Sequence, residues 1–119
     1  MSKILIINAD DLGLTLSRNQ AILEGYNKGV ISSASAIVNG EYFNDAIEII
    51  GKCPNLGVGI HLNIVEGKAL INNRLLCDRN GVFNNGFLAI MLKSRNKAFL
   101  EAVENEFRAQ IELGTRYIS

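Results

Sequence analysis

Tryptophan is absent from the 119 residues, and proline and histidine occur once each. Cysteine occurs only at positions 53 and 77, too few for the disulfide framework of a small secreted domain, so both are read as free thiols. A net charge is also missing: 12 Lys+Arg balance 12 Asp+Glu. That balance leaves no basic face for nucleic acid and no polybasic patch for an anionic membrane. No apolar run reaches the roughly 18–20 residues of a membrane span. The run Ile4-Leu5-Ile6-Ile7 is too short for the apolar core of a secretory leader, and a cytoplasmic location is expected. What is present is the composition of a globular domain, with 48% hydrophobic and 20% charged residues. A chain of this length has room for one modest core, a single domain over 1–119.

Lys3 to Asn8 is an aliphatic, β-branched run that predicts a strand buried on both faces. Ser17, three residues before Gln20, suggests a capping box opening a helix over about 17–28, with Gly29 past its end. Ser33 to Val38 predicts a second strand. Phe43, Ala46, Ile47 and Ile50 repeat at helical spacing before Gly51, and Gly57 to Leu62 predicts a third strand. This β-α-β-α-β order with short connections calls for a parallel sheet covered by helices. Residues 63–85, rich in Asn and Gly, form a long excursion with room for a small hairpin. Phe99, Val103, Phe107 and Ile111 step by four along a last helix, where Glu104 and Arg108 are spaced as an ion pair and Gly114 closes the element. Tyr117-Ile118-Ser119 reads as the opening of a fourth strand.

Parallel α/β sheets gather the loops at the carboxyl ends of their strands on one rim, where ligands bind. Asp10 and Asp11 follow the first predicted strand, Asn39 the second, and His61 and Asn63 end the third. Adjacent carboxylates repel unless a cation or a shared proton relieves them. The imidazole of His61 adds a donor suited to zinc and other transition metals. Asp plus His makes two protein ligands where a catalytic metal takes about three. Plainer readings exist for the same residues. Asp-Asp-x-Gly serves as turn chemistry, a lone histidine at a strand end can be structural, Gly57 and Gly59 allow close packing, and Ser33 and Ser35 can satisfy backbone groups.

The segments Asn8-Ala9-Asp10-Asp11-Leu12-Gly13-Leu14, Asn19-Gln20-Ala21-Ile22, Gly29-Val30-Ile31-Ser32-Ser33-Ala34-Ser35 and Gly57-Val58-Gly59-Ile60-His61-Leu62-Asn63 together resemble the YdjC-like carbohydrate deacetylase family, which includes chitooligosaccharide deacetylases. The likeness runs in order through the chain, including Gly67 and Glu112-Leu113-Gly114. It implies a distorted (β/α) barrel that removes an N-acetyl group from an oligosaccharide with a divalent metal, Mg or Zn, held by one Asp and two His. On this sequence Asp11 would be the metal aspartate, His61 the first metal histidine and Asp10 the general base, or the two acids would exchange roles. Asn39 and Asn63 would hydrogen-bond sugar hydroxyls.

The family's next strand, of the type Asp-x-His-x-His-x-His, would supply the second histidine, and the sequence stops where that strand is due. A full barrel takes roughly 250 residues, so a truncated amino-terminal half is expected, with little activity alone and a tendency to homo-oligomerise through its uncovered edge. Two other classes share part of this pattern. A receiver domain would share the acidic pair and Mg²⁺ but needs an acceptor aspartate where His61 stands. A non-catalytic sugar-binding or assembly module would keep the rim without the chemistry.

Overall fold

The computed structural model describes residues 3–118. They form two compact units, one up to His61 together with Ile118 and one from Leu62 to Tyr117. The first contains β1 (Asn8–Leu12), α1 (Leu16–Asn27), β2 (Ser33–Ala36), α2 (Phe43–Lys52) and β3 (Gly57–Ile60). The three strands make one parallel sheet in the order β1-β2-β3, the mixed α/β architecture that the sequence implies.

Strand β1 starts five residues later than the aliphatic run suggests. Ile4, Leu5 and Ile6 are 90%, 77% and 72% exposed rather than buried on both faces. The ladder begins at Ile7, whose carbonyl accepts from the N–H of Ser32 and Ser33. Earlier residues have no strand to meet, because the N–H groups of Val30 and Ile31 are both taken by the carbonyl of Gly25 at the end of α1.

Side chains alternate across a pleated strand, and β2 shows what each face is for. Ala34 and Ala36 are buried in a core with Leu12, Ile22, Ile37, Val38, Phe43, Ala46 and Ile49. Ser33 and Ser35 stand on the other face, in register with Gly57 and Gly59 of β3. Those glycines do not serve close packing: a Cβ at Gly59 would meet nothing within 4 Å, and one at Gly57 only ordinary contacts at 3.7 Å.

Helix α1 is capped by Thr15, whose hydroxyl accepts from the N–H of Arg18 at 3.3 Å, not by Ser17. Helix α2 runs through Gly51 to Lys52, because Phe43, Ala46 and Ile49 keep one face on the core. The loops after β1 and β2 are locked together by Asn19, which is wholly buried. Its Oδ1 accepts from the N–H of Gly13 at 2.6 Å, and its Nδ2 donates to the carbonyl of Tyr42 at 3.0 Å and to Asp45 Oδ2 at 2.8 Å. Gly13 and Gly40 meet backbone to backbone, and a Cβ on Gly40 would stand 2.2 Å from the carbonyl oxygen of Gly13.

The second unit contains α3 (Phe87–Lys93) and α4 (Lys97–Gly114). Helix α3 has no counterpart in the sequence reading, and its Phe87, Leu88, Met91 and Leu92 are exposed. Isolated antiparallel bridges Lys68–Val82 and Cys77–Phe83 give the excursion its small hairpin character. Around them Leu76, Cys77, Phe83, Phe99 and Ala102 form the unit's core. The buried stripe of α4 is Phe99, Ala102, Glu106, Gln110 and Gly114, rotated from the apolar one expected, and Ile111 is 45% exposed.

Backbone demand is the reason. Glu106 Oε1 and Oε2 accept from the N–H of Leu70 at 3.0 Å and Ile71 at 2.8 Å, while Gln110 bonds both the N–H and the carbonyl of Asn63 at 2.9 and 2.6 Å. Burying two polar side chains costs less than leaving those backbone groups unpaired. Glu104 and Arg108 pair as expected, at 2.8 Å. Tyr117 lies in a turn and Ile118 is irregular, so no fourth strand opens at these two residues; Ser119 lies outside the described residues.

Gly40→Ala should destabilise the first unit by about 2 kcal/mol or more, because a Cβ inside the Gly13 backbone forces the two loops apart. Gly59→Ala, with open space above it, should change stability by less than about 1 kcal/mol. Chemical denaturation of both variants checks the contrast.

Candidate metal centre

In a regular strand, successive side chains point to opposite faces, so Asp10 and Asp11 could not both face one ligand. The register breaks at this point. Ala9 pairs with Ala34 but Leu12 pairs with Ala36, so β1 carries one extra residue between them. Asp11 absorbs the bulge with φ +66°, alone among the described non-glycine residues in having positive φ. That conformation is uncommon for an L-residue and is tolerated best by Asn and Asp. Leu12 thereby returns to the core face, where it is fully buried.

Asp10 and Asp11 thus lie within β1 rather than past it. Asp10 stays on the polar face. Its Oδ1 accepts from Asn8 Nδ2 at 2.9 Å and from the hydroxyl of Ser35. Asn8 is fixed in turn, its own Oδ1 accepting from Ser33 Oγ at 2.8 Å. The two serines therefore serve the acidic strand, not the backbone at their own strand's start.

Asp11 turns to the end of β3. His61, whose N–H extends the ladder to the carbonyl of Ala36 at 2.8 Å, places its Nδ1 3.3 Å from Asp11 Oδ1. Fifty positions of sequence separate the two. Asp11 Oδ2 lies 3.4 Å from Arg18 on the first turn of α1. Arg18 was not among the residues singled out from sequence. Only its position seven residues after Asp11, in the first turn of the helix that follows β1, could have signalled it. With both side chains partly open to water, that ion pair contributes little stability.

His61 Nδ1 is buried and makes no hydrogen bond, despite the nearby oxygen. A buried nitrogen facing a carboxylate oxygen without hydrogen-bond alignment needs an explanation. An imidazole nitrogen and a carboxylate oxygen this close have the chemistry of two donors to one cation. If each sat about 2.1 Å from a shared ion, their 3.3 Å separation would correspond to an angle of roughly 100°, suited to tetrahedral or octahedral coordination. The donor set, one imidazole and one carboxylate, also fits zinc and similar divalent ions. Among the described residues no group of three or more His, Cys, Asp or Glu could hold a metal, so the fit extends to two donors.

Asn39 sits half-buried in the turn after β2. Asn63 belongs to the second unit. Its Oδ1 accepts from the N–H of Val65 and Glu66 at 3.0 and 3.1 Å, and its Nδ2 donates to the carbonyl of Glu66 at 2.7 Å. Both cysteines are free and buried. Burial pushes the Cys53 thiol up despite the opposing pull of Lys52, which keeps it protonated and unreactive.

The model of YdjC-like proteins matches residues 4–116. The chain belongs to the YdjC-like family. It is 41% identical over 88 residues to a carbohydrate deacetylase of Thermoanaerobacter pseudethanolicus, covering 71% of this chain and 35% of that one. It is 35% identical over 114 residues to carbohydrate deacetylase 2 of Listeria innocua, covering 96% and 45%. A chitooligosaccharide deacetylase of Salmonella paratyphi B is 46% identical over 68 residues, covering 57% and 27%. A crystal structure from Enterococcus faecalis V583, of a protein named for cellobiose-phosphate cleavage, superposes with a TM-score of 0.78 at 33% identity, covering 94% of this chain and 43% of its own. The chain therefore spans less than half the length of these YdjC-like relatives. No helix among the described residues is long and apolar enough to cross a membrane.

Asp11→Gly removes a carboxylate from the left-handed position and relieves its repulsion with Asp10. The variant should be as stable as the parent or up to about 1 kcal/mol more so, which thermal unfolding checks.

Proposed function

We propose that this chain carries the cation-binding and proton-accepting part of a carbohydrate deacetylase, acting on N-acetylated amino-sugar oligosaccharides. The observation that carries the reading is the buried His61 Nδ1, which makes no hydrogen bond and faces Asp11 Oδ1 at 3.3 Å. The deacetylase names of the relatives support the reaction class.

Asp11 and His61 would hold the divalent metal, Mg or Zn. Such a metal polarises the amide carbonyl and lowers the pKa of water toward neutrality. Asp10 is the base: both of its hydrogen bonds fall on Oδ1, which leaves Oδ2 to take the proton from the attacking water. The same carboxyl can return that proton to the departing amine nitrogen as acetate leaves. Asn39 is the candidate for a sugar hydroxyl. Asn63 has its side chain bonded within its own turn.

Two donors hold a metal weakly, so the chain alone should release little acetate. A second reading, a sugar-binding module without hydrolysis, is favoured by that same donor number. Calorimetric titration with Zn²⁺ tests the centre. The parent should bind one ion and His61→Ala at least about tenfold more weakly, as expected for losing one of two ligands; equal affinity in the variant would remove His61 from the site. Slow acetate release from N-acetylated chitooligosaccharide that Asp10→Asn abolishes is expected under the first reading, and none above the variant's background under the second.

The exposed Ile4–Ile6 run and the apolar residues of α3 support a homo-oligomer as the form in solution. Light scattering should show a mass above the 13.0 kDa of one chain. A monomer at high concentration would contradict this.

A further inference from the structure

Two neighbouring carboxylates on one face pose a question of roles. A cation bound by Asp11 and His61 would ordinarily attract Asp10 as well, since each added carboxylate oxygen strengthens binding of a hard or borderline cation. A base captured in that way could no longer accept a proton. The sheet carries a device that separates the two acids. Ser33 donates to Asn8 Oδ1, Asn8 Nδ2 donates to Asp10 Oδ1, and Ser35 donates to the same oxygen. Asn8 Nδ2 also lies 3.4 Å from Ser35 Oγ, which closes the group. Every member sits on the polar face of β1 or β2, and the register that pairs Asn8 with Ser33 and Ala9 with Ala34 brings them opposite one another.

We propose that Ser35 and Asn8 are positioning residues that tether Asp10 to the sheet and hold it out of the cation's coordination shell, leaving Asp11 as the sole carboxylate ligand. The inference rests on the metal reading above and adds a separate claim about how the acidic pair divides its work. A donor pair converging on one carboxylate oxygen restricts χ1 and χ2 of Asp10 without occupying its other oxygen. Asp11 has no such tether to the sheet, since its partners are Arg18 and His61.

Two measurements test the tether. On the metal-free protein, three-bond couplings from Asp10 Cγ to backbone N and C′ report the side-chain rotamer. The parent should show a single rotamer, Ser35→Ala should show averaging, and Ser35→Thr, which keeps the hydroxyl, should restore the parent's couplings. Averaging in the parent, or couplings unchanged in Ser35→Ala, would overturn the proposal. Amide dispersion confirms that the variants fold, and Asn8→Ala supplies a second break of the same tether.

The second measurement uses Co²⁺ as the probe. Ser35→Ala should bind it about tenfold more tightly than the parent, as an extra carboxylate ligand does, with an altered visible spectrum from the changed coordination. Adding Asp10→Asn should abolish that gain. No gain, or a gain that survives Asp10→Asn, would overturn the proposal. If the parent does not bind Co²⁺ through His61, the metal reading is what fails, and the rotamer couplings decide the tether independently.

Discussion

A pleated strand lets neighbouring side chains face one way only if the pleat is broken, and the bulge at Asp10–Asp11 is where this happens. Without it, Asp11 would point to the face where Ala34 and Ala36 are buried, and an unpaired carboxylate there would be costly. The extra residue and the φ of +66° resolve that conflict. Leu12 returns to the core, Asp10 stays with Ser35, and Asp11 reaches His61. The residue with positive φ is also the one proposed to hold the cation, a coincidence expected where a fold stores conformational energy at a site.

Such strain persists only in a frame that cannot relax. Asn19 provides that frame, bonding the N–H of Gly13, the carbonyl of Tyr42 and the carboxylate of Asp45 from a fully buried position. The close approach of Gly13 and Gly40 fixes the loops following β1 and β2 at backbone level. The second unit solves its own problem in a similar way: Glu106 and Gln110 are buried on α4 because irregular segments at Asn63 and Leu70–Ile71 need partners for their backbone groups. In both units a buried polar side chain substitutes for regular secondary structure.

Much of this was legible in the sequence, and the failures have physical causes. Apolar runs and turn punctuation indicate three parallel strands, and strand-end topology brings Asp11 and His61 together across the sheet. The start of β1 was misplaced because hydrophobicity reports what can be buried, whereas the ladder depends on which N–H groups β2 has to offer. The bulge left no compositional mark, since Asp is an ordinary strand-end residue. Ser35 and Asn8 were invisible as a pair, because their meeting depends on register between strands. The face of α4 was misjudged because apolar spacing ranked Ile111 above Glu106, and only the backbone groups of a distant loop reverse that order. Helix α3 escaped notice since seven residues give periodicity too little length to show itself.

The proposed centre depends on His61 Nδ1 being a metal donor toward the oxygen of Asp11. Because His61 is the only histidine in the chain, its two ring nitrogens can be followed without ambiguity by long-range ¹H–¹⁵N correlation during a Zn²⁺ titration. Nδ1 should change its shift to that of a metal-bound nitrogen while Nε2 keeps its proton, and Asp11→Asn should suppress the change. Zinc binding at Nε2, or a Nδ1 resonance that Zn²⁺ leaves unmoved, would contradict it.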